Sequence, residues 1–344
     1  MDILAVIKNL LSTPKHIVIT VHARPDADAL GAALGLAAFL RQQKHTVSVI
    51  SPTPYPNFLS WLPGTDGVIV YDQARPGPVL RSIQQADIIF CVDFSLLQRL
   101  HALGEIVDKA QAIKVVIDHH LDKVNFTDLV LCSSHAAAAA ELVYELIKAL
   151  VDENTRLDKE IATCLYTGIM TDTSSFKNPN TTPQTHRITA DLMEFGVDVP
   201  KIHRLMYDNN TLNRLQFISF AIAERLVVLP QYHTAYFAIR AADTQRFKLV
   251  MGDTEGLVNY TLSMRGIILG TLMSEKAEAI RLSLRSIGDF PVDVMARTHF
   301  GGGGHKNAAG GSSALSLEAT VAKFEGCVSA SKEALAKNYK VHGI

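Results

Sequence analysis

Residues 16–43 read HIVITVHARPDADALGAALGLAAFLRQQ, an apolar run followed by a polar turn and a segment rich in alanine and leucine. The run His16–Val21 is typical of a strand buried on both faces, and Leu30–Gln43 has the composition of a helix. Strand, turn and helix in this order form the repeating unit of a parallel sheet covered by helices on both faces. The sequence therefore predicts an α/β domain, in which ligands bind beyond the carboxyl ends of the strands.

Polar, metal-capable clusters follow this apolar run and two later ones. The clusters are His22, Asp26 and Asp28 after the first run, Asp93 after Ile88–Val92, and Asp118, His119 and His120 after Ala112–Ile117. Asp172, in the hydroxyl-rich segment 167–176, is a further candidate. Because the carboxyl ends of parallel strands meet at one edge of a sheet, we expect these clusters to converge in one crevice.

Each cluster also has a plainer reading. An aspartate in a turn before a helix, such as Asp26 or Asp28, is often an N-cap, and Asp172 suits the end of a helix. Asp93 alone fits a cap as well as it fits a ligand. The triplet Asp118-His119-His120 is the hardest to explain by packing, since three adjacent metal-competent groups end an apolar strand.

Taken together, the candidates comprise five aspartates and three histidines, and no cysteine. Oxygen ligands with a few imidazoles favour Mn²⁺, with Mg²⁺ or Co²⁺ as alternatives, and disfavour structural zinc. The set is too large for one ion. We therefore expect two divalent cations ~3.5–4 Å apart, sharing one carboxylate and activating a water molecule for attack on phosphorus.

The bulk composition narrows the class of protein. The chain has 344 residues, 48% of them hydrophobic and 19% charged, which suits a globular protein of two domains. Its net charge of −1 argues against a protein that coats long nucleic acid. Residues 1–200 hold 16 basic and 22 acidic side chains, a net charge of −6, whereas residues 201–344 hold 17 and 12, a net charge of +5. The acidic part suits metal ions and the basic part suits phosphates, although uneven surface charge explains the difference equally well.

The localisation that we expect is cytoplasmic. No apolar run reaches the ~18 residues of a membrane span, and the start of the chain resembles an amphipathic helix more than a signal peptide. The four cysteines, Cys91, Cys132, Cys164 and Cys327, are far apart and are predicted to be buried free thiols.

A second α/β domain with a mixed sheet is predicted from the return of strand-like patterns after about Ala221. The run Gly301–Gly304 followed by His305 suits a flexible linker or, as we prefer, a backbone nest that wraps an anion. Arg285, near the end of the strand Ile280–Ser286, is a candidate fork for a second phosphate. The predicted layout is a catalytic domain over residues 1–195, a helical linker over 196–220 and a substrate-binding domain over 221–344, with the active-site cleft between the domains.

In order and spacing, the clusters resemble the four motifs of the DHH phosphoesterase family. The segments Leu284–Ser286 and 301–311 are similar to its DHH-associated C-terminal domain. The sequence departs from the family pattern at Ala27 and Ala32, where glycine and serine are usual, and both changes spare every ligand.

The resemblance implies a role for each candidate. His22 and Asp26 would hold one metal, Asp28, His119 and Asp172 the other, and Asp93 would bridge them. His120 would contact the scissile phosphate, and Asp118 would orient the histidines. The far end of the substrate would be bound by Arg285, Ser286, Gly301, Gly302, Gly303, Gly304 and His305.

The implied function is that of a manganese-dependent phosphodiesterase or phosphatase in the nano-RNase and pAp phosphatase branch of the family. Its expected substrates are short oligoribonucleotides (nano-RNA), cleaved with either polarity, and 3′-phosphoadenosine 5′-phosphate (pAp). A phosphodiesterase for cyclic di-AMP or linear pApA is the alternative, and a non-catalytic nucleotide sensor is a further one. We expect no membrane and no long duplex nucleic acid among its partners. A homodimer is one expectation for its assembly.

Overall fold

A computed structural model describes residues 3–120, 124–151, 157–250 and 252–342. The chain divides into two compact units, Met1–Asp208 and Asn209–Ile344. The predicted linker, residues 196–220, is thus divided between the two units.

A parallel sheet with six strands in the described residues runs through the first unit. Its strands are β1 (His16–Val21), β2 (Thr46–Ser51), β3 (Val68–Val70), β4 (Ile88–Val92), β5 (Ile113–Asp118) and β6 (Leu129–Cys132). They lie in the order β3-β2-β1-β4-β5-β6, and every neighbouring pair is parallel. The predicted parallel sheet is confirmed, and β1, β4 and β5, the strands that precede the polar clusters, are neighbours in it.

Helices of the first unit cover both faces of this sheet, where two separate apolar clusters form. The helices are α1 (Ile3–Leu10), α2 (Ala27–Gln42), α3 (Gly77–Gln84), α4 (Leu103–Asp108), α5 (Ala139–Leu150), α6 (Lys159–Asp172), α7 (Pro183–Glu194) and α8 (Val199–Tyr207). Helix α2 begins three residues earlier than its composition indicated. The side chain of Asp26 caps it by accepting hydrogen bonds of 3.0 Å from the N–H groups of Asp28 and Ala29.

Helices α2 and α6 pack so closely that glycine is required between them. A Cβ atom on Gly31 would lie 2.4 Å from the carbonyl oxygen of Cys164, and one on Gly35 would lie 2.8 Å from the side chain of Leu165. This contact fixes α6, which ends at Asp172, against α2, which begins next to Asp28.

The second unit contains a mixed sheet, as predicted. Its strands are β7 (Leu226–Leu229), β8 (Thr234–Ile239), β9 (Leu269–Glu275), β10 (Ile280–Ser286), β11 (Gly303–His305) and β12 (Ala308–Ser313). They lie in the order β11-β12-β10-β9-β8-β7, with β8 and β9 parallel and the other pairs antiparallel. The helices of this unit are α9 (Leu212–Glu224), α10 (Ala241–Arg246), α11 (Asn259–Leu262), α12 (Val292–Phe300), α13 (Leu317–Ala330) and α14 (Lys332–His342).

All four cysteines are free thiols, as expected, but not all of them are buried. Cys91 and Cys164 are buried, Cys327 is half-buried and Cys132 is exposed. Cys132 is the last residue of β6, an edge strand in which half-buried and exposed side chains alternate, and Cys132 is one of the exposed ones. Among the described residues, no helix has the length and apolarity that a bilayer crossing requires.

Candidate metal centre

Three neighbouring strands of the first unit deliver polar side chains to one edge of the sheet. His22 follows β1, Asp93 follows β4, and Asp118 ends β5. Because β1 pairs with β4 and β4 with β5 in parallel, these positions share the carboxyl edge. The expected convergence of the clusters is therefore present within this unit.

One group of possible ligands contains His22, Asp26 and Asp93. His22 Nε2 lies 3.8 Å from Asp26 Oδ2 and 3.4 Å from Asp93 Oδ2. The other ring nitrogen, Nδ1, is 3.0 Å from the carbonyl oxygen of Ala23, which can only accept, so Nδ1 carries the proton of a neutral ring and Nε2 faces the carboxylates. Such a backbone contact is how proteins orient a histidine toward a metal.

Asp26 serves this group while it also caps α2. Its Oδ1 accepts the two cap hydrogen bonds, whereas Oδ2 is the atom nearest His22. The capping role and the ligand role, which the sequence presented as alternatives, are compatible because they use different oxygens.

A second group contains Asp28, His119 and Asp172. His119 Nε2 lies 3.8 Å from Asp28 Oδ2 and 3.5 Å from Asp172 Oδ2. Asp28 and His119 are buried, with 1% and 4% of their surface exposed. The side chain of Asp172 is partly exposed. Because water has little access to the Asp28 carboxylate, a cation next to it is the favourable arrangement.

Asp93 joins the two groups, because its Oδ2 faces His22 and its Oδ1 lies 3.4 Å from His119 Nε2. The side chain is buried, and Oδ1 has no hydrogen bond of good geometry within the described part of the chain. The backbone of Asp93 has φ 64°, an uncommon value outside glycine, and its N–H donates to the carbonyl oxygen of Ile117. Strain of this kind, held by the neighbouring strand, is typical of functional sites.

A third group contains Asp93, Asp118 and His120. Asp118 Oδ1 lies 2.7 Å from His120 Nδ1 and accepts a hydrogen bond of 2.9 Å from the N–H of His119. The hydroxyl of Ser95 donates to the other oxygen of Asp118. Asp118 is fully buried and His120 is half-buried. Asp118 therefore contacts both histidines from the interior of the domain, through the N–H of His119 and the ring of His120.

Proximity of the carboxylates shapes the electrostatics of the centre. Burial, reinforced by the charges of Asp93 and Asp172, holds the pKa of Asp28 well above its usual range. Burial also raises the pKa of Asp172 to about 7. Burial alone would lower the pKa of His119, but Asp93, Asp172 and Asp28 raise it to about 11. The centre thus attracts positive charge strongly, which suits divalent cations.

The amino-terminal end of α5 is a part of the centre that sequence reasoning missed. The N–H groups of Ala139 and Ala140 donate to Asp28 Oδ2 and Oδ1 over 2.6 and 2.9 Å. A Cβ atom on Gly168 of α6 would lie 2.8 Å from both Asp28 Oδ1 and the Cβ of Ala140. The alanine run 136–140 suggested only helix propensity, whereas three of its residues precede the helix and the other two, Ala139 and Ala140, bind Asp28 through their N–H groups.

In the second unit, two of the candidate phosphate-binding residues lie in one row across three strands. Arg285 of β10 is paired with Ala308 of β12, which is paired with His305 of β11. Directly paired residues in antiparallel strands point to the same face, so Arg285 and His305 share a face of this sheet.

The other candidates of the second unit have contacts inside the fold. Ser286 is buried, and its hydroxyl donates to the carbonyl oxygen of Phe290 and accepts from the side chain of Asn307. Gly301 ends α12 with φ 56°, and the N–H of Gly302 donates to the carbonyl oxygen of Ala296. Gly303 and Gly304 lie in β11, so the glycine run is ordered backbone and not a flexible linker.

A family model, curated relatives and a solved structure are similar to this chain in sequence or in fold. The family model described as "DHH family, N-terminal domain" matches residues 16–169. Two relatives are named bifunctional oligoribonuclease and PAP phosphatase NrnA. The one from Thermus thermophilus is 29% identical over 86% of this chain and 83% of its own, and the one from Bacillus subtilis is 27% identical over 86% and 88%. A crystal structure of an exopolyphosphatase-related protein from Bacteroides fragilis is 33% identical, covers 97% of both chains and superposes with a TM-score of 0.92.

Proposed function

Since this chain belongs to the DHH family, we propose that it is a metal-dependent hydrolase of phosphate esters that acts on short oligoribonucleotides and on pAp. The observation that carries the chemistry is that Asp93, which belongs to the group of His22 and Asp26, also lies 3.4 Å from His119 of the other group. The substrates follow from the two relatives whose names state those activities.

The donor set fits two divalent cations. Each group offers one imidazole Nε2 and carboxylate oxygens, and the atoms of each group lie within 4.8 Å of one another. We assign His22 and Asp26 to one ion, Asp28, His119 and Asp172 to the other, and Asp93 to both. Oxygen ligands with a single imidazole per ion favour Mn²⁺ over Zn²⁺. Bound there, the cations would supply Lewis acidity and lower the pKa of a coordinated water molecule.

His120 and Asp118 have separate roles in the proposed reaction. We assign His120 to the scissile phosphate, because it is half-buried and its Nδ1 is held by Asp118. When the ring of His120 is protonated, its Nδ1–H donates to Asp118 and its Nε2–H can donate to a phosphate oxygen. Asp118, with Ser95 on its other oxygen, keeps the ring in that orientation.

The second unit is assigned to binding the part of the substrate that does not react. Arg285 offers a planar fork for a phosphate, and His305 shares its face of the sheet. We assign Ser286 and the glycines 301–304 to the same substrate-binding region, where they form the backbone that positions the side chains of Arg285 and His305. The N–H of Gly302 is used within the fold, so we expect the anion contacts to come from the neighbouring residues.

The length of RNA that is cleaved tests this function. Proteins that follow long single strands use aromatic platforms worth about 1–3 kcal/mol per base. This chain has 7% aromatic residues and a net charge of −1, so each further nucleotide would gain little binding. We expect initial rates with Mn²⁺ on RNA of two to about five nucleotides to exceed those on a 24-mer by about an order of magnitude or more.

The same assay separates the alternatives. A panel of pAp, linear pApA and cyclic di-AMP, with products resolved by chromatography, gives the preferred substrate, and the first nucleotide released from an end-labelled trimer gives the polarity. Turnover of cyclic di-AMP well above that of RNA dimers and pAp would favour the cyclic dinucleotide reading. A preference for the 24-mer would contradict the short-substrate proposal, and absence of turnover with intact metal binding would favour the sensor.

A further inference from the structure

The peptide units of Ala137 are fixed by two side chains from different parts of the first unit. The N–H of Ala137 donates a hydrogen bond of 3.0 Å to Glu141 Oε2, and its carbonyl oxygen accepts one of 3.0 Å from the side-chain amide of Asn180. Ala137 is fully buried, and Glu141 has 3% of its surface exposed. A buried carboxylate and a side-chain amide thus hold one residue from both sides.

Helix α5, which begins two residues after Ala137, lacks a cap of its own. Its N-cap residue is Ala138, which has no side chain to accept a hydrogen bond. The orphan N–H groups of Ala139 and Ala140 donate instead to the carboxylate of Asp28, on α2. Asp28 therefore caps α5 from another helix, and the position of the α5 terminus sets the orientation of the Asp28 carboxylate.

Glu141 extends this arrangement to α7. The same oxygen, Oε2, lies 3.2 Å from the hydroxyl of Thr185, which forms a capping box with Thr182 at the start of α7. The hydrogen bonds of Glu141 in the described residues thus connect Ala137 with α7, and none of them goes to a candidate ligand.

We propose that Glu141 and Asn180 are positioning residues for the metal centre, which act by holding the α5 terminus against Asp28. The proposal rests on the proposed function in one respect, the assignment of Asp28 as a metal ligand. The Ala139 hydrogen bond and the contact with His119 use the same atom, Asp28 Oδ2. A shift of the terminus therefore moves the atom that faces His119, whereas the group of His22 and Asp26 keeps its geometry.

The variants Glu141→Ala and Asn180→Ala remove the two anchors, and Glu141→Gln keeps an oxygen that can accept from Ala137. Asp28→Ala is the reference for losing the ligand itself. Thr65→Ala is the control for removing a side chain that hydrogen-bonds to the backbone in a different segment. Thr65 is buried like Glu141 and, like the side chain of Asn180, its hydroxyl donates to backbone carbonyls, here over 2.8–2.9 Å.

Two measurements separate positioning from a general loss of stability. Calorimetric titration of the metal-free proteins with Mn²⁺ should show a loss of about 10–100-fold in affinity for one metal equivalent in Glu141→Ala and Asn180→Ala. Glu141→Gln should stay within about threefold of the wild type, since it keeps a neutral hydrogen bond. Hydrogen exchange in the metal-free proteins should be faster at the amides of Ala139 and Ala140 in both alanine variants and unchanged in Thr65→Ala.

The outcomes are distinct. If Asp28→Ala loses one metal equivalent while Glu141→Ala and Asn180→Ala keep both affinities, the positioning proposal is overturned and the proposed function stands. If Asp28→Ala itself keeps both metals, the ligand assignment fails and the proposal fails with it. If Glu141→Ala does not fold, Asn180→Ala, which removes the other anchor, still decides between these results.

Discussion

Asp93 and His119 approach each other with 3.4 Å between Oδ1 and Nε2, while the other oxygen of Asp93 lies 3.4 Å from His22 Nε2. One buried carboxylate therefore stands between two imidazoles that belong to different ligand groups. Asp93 is held in this place by its position after β4 and by the hydrogen bond from its N–H to Ile117 of β5. A shared carboxylate is what a site with two neighbouring cations requires.

Gly168 allows α5 and α6 to approach Asp28, so Gly168→Ala should destabilise the first unit. The added Cβ would meet Asp28 Oδ1 and the Cβ of Ala140 at 2.8 Å. Asp28 Oδ1 is held by a hydrogen bond from the N–H of Ala140, so it cannot move away without losing that bond. We expect a loss of about 1–3 kcal/mol in the free energy of unfolding of the metal-free protein, measured with denaturant. Gly326→Ala is the control, because that exposed helical glycine has open space and the change should stabilise by about 0.5–1 kcal/mol. An unchanged free energy for Gly168→Ala would show that the three helices pack less tightly than described.

Asp118 should matter for catalysis through His120 and not through metal binding. Asp118→Asn removes the charge that orients the imidazole and should lower kcat by about 10–100-fold with two metal equivalents retained. Because the two residues act as a unit, the double variant with His120→Ala should be no slower than His120→Ala alone. Loss of one metal equivalent in His120→Ala would place His120 among the ligands and contradict this division.

Arg285 should contribute to substrate binding and not to chemistry. A charge-assisted contact with phosphate is worth about 1.5–3 kcal/mol, so Arg285→Ala should lower kcat/KM on an RNA trimer by about 10- to 150-fold. The loss should be much smaller on a minimal aryl phosphodiester, and metal content should not change. Arg281→Ala, on the same strand but paired with Ser312 at its other end, is the matched control. An equal loss on both substrates would assign Arg285 to the reacting phosphate instead.

The fold and most of the candidate ligands follow from one local pattern, the apolar run that ends in a polar cluster. The pattern is informative because parallel strands that are buried on both faces have little sequence alternation, so their ends are easy to find. His22, Asp93 and Asp118 lie together at the sheet edge for that reason. The order of the strands, with β4 between β1 and β5, explains why Asp93 is the residue between the two groups.

The supporting contacts could not be predicted from the sequence, because they join distant segments through backbone atoms. Ala139 and Asp28 are 111 residues apart, and an alanine carries no signal that its N–H will bind a carboxylate. Likewise, Glu141 in an alanine- and leucine-rich helix reads as an ordinary first-turn residue. Only the packing of α2, α5 and α6 brings these groups together.

The central claim, a site for two cations that share Asp93, is tested most directly by the metal content of the Asp93→Asn protein. After equilibrium dialysis against Mn²⁺, elemental analysis should give two ions per chain for the wild type, about one for His22→Ala and fewer than one for Asp93→Asn, because only Asp93 serves both ions. Turnover should fall in the same order. A well-folded Asp93→Asn protein that retains two ions and a near-normal rate would contradict the account.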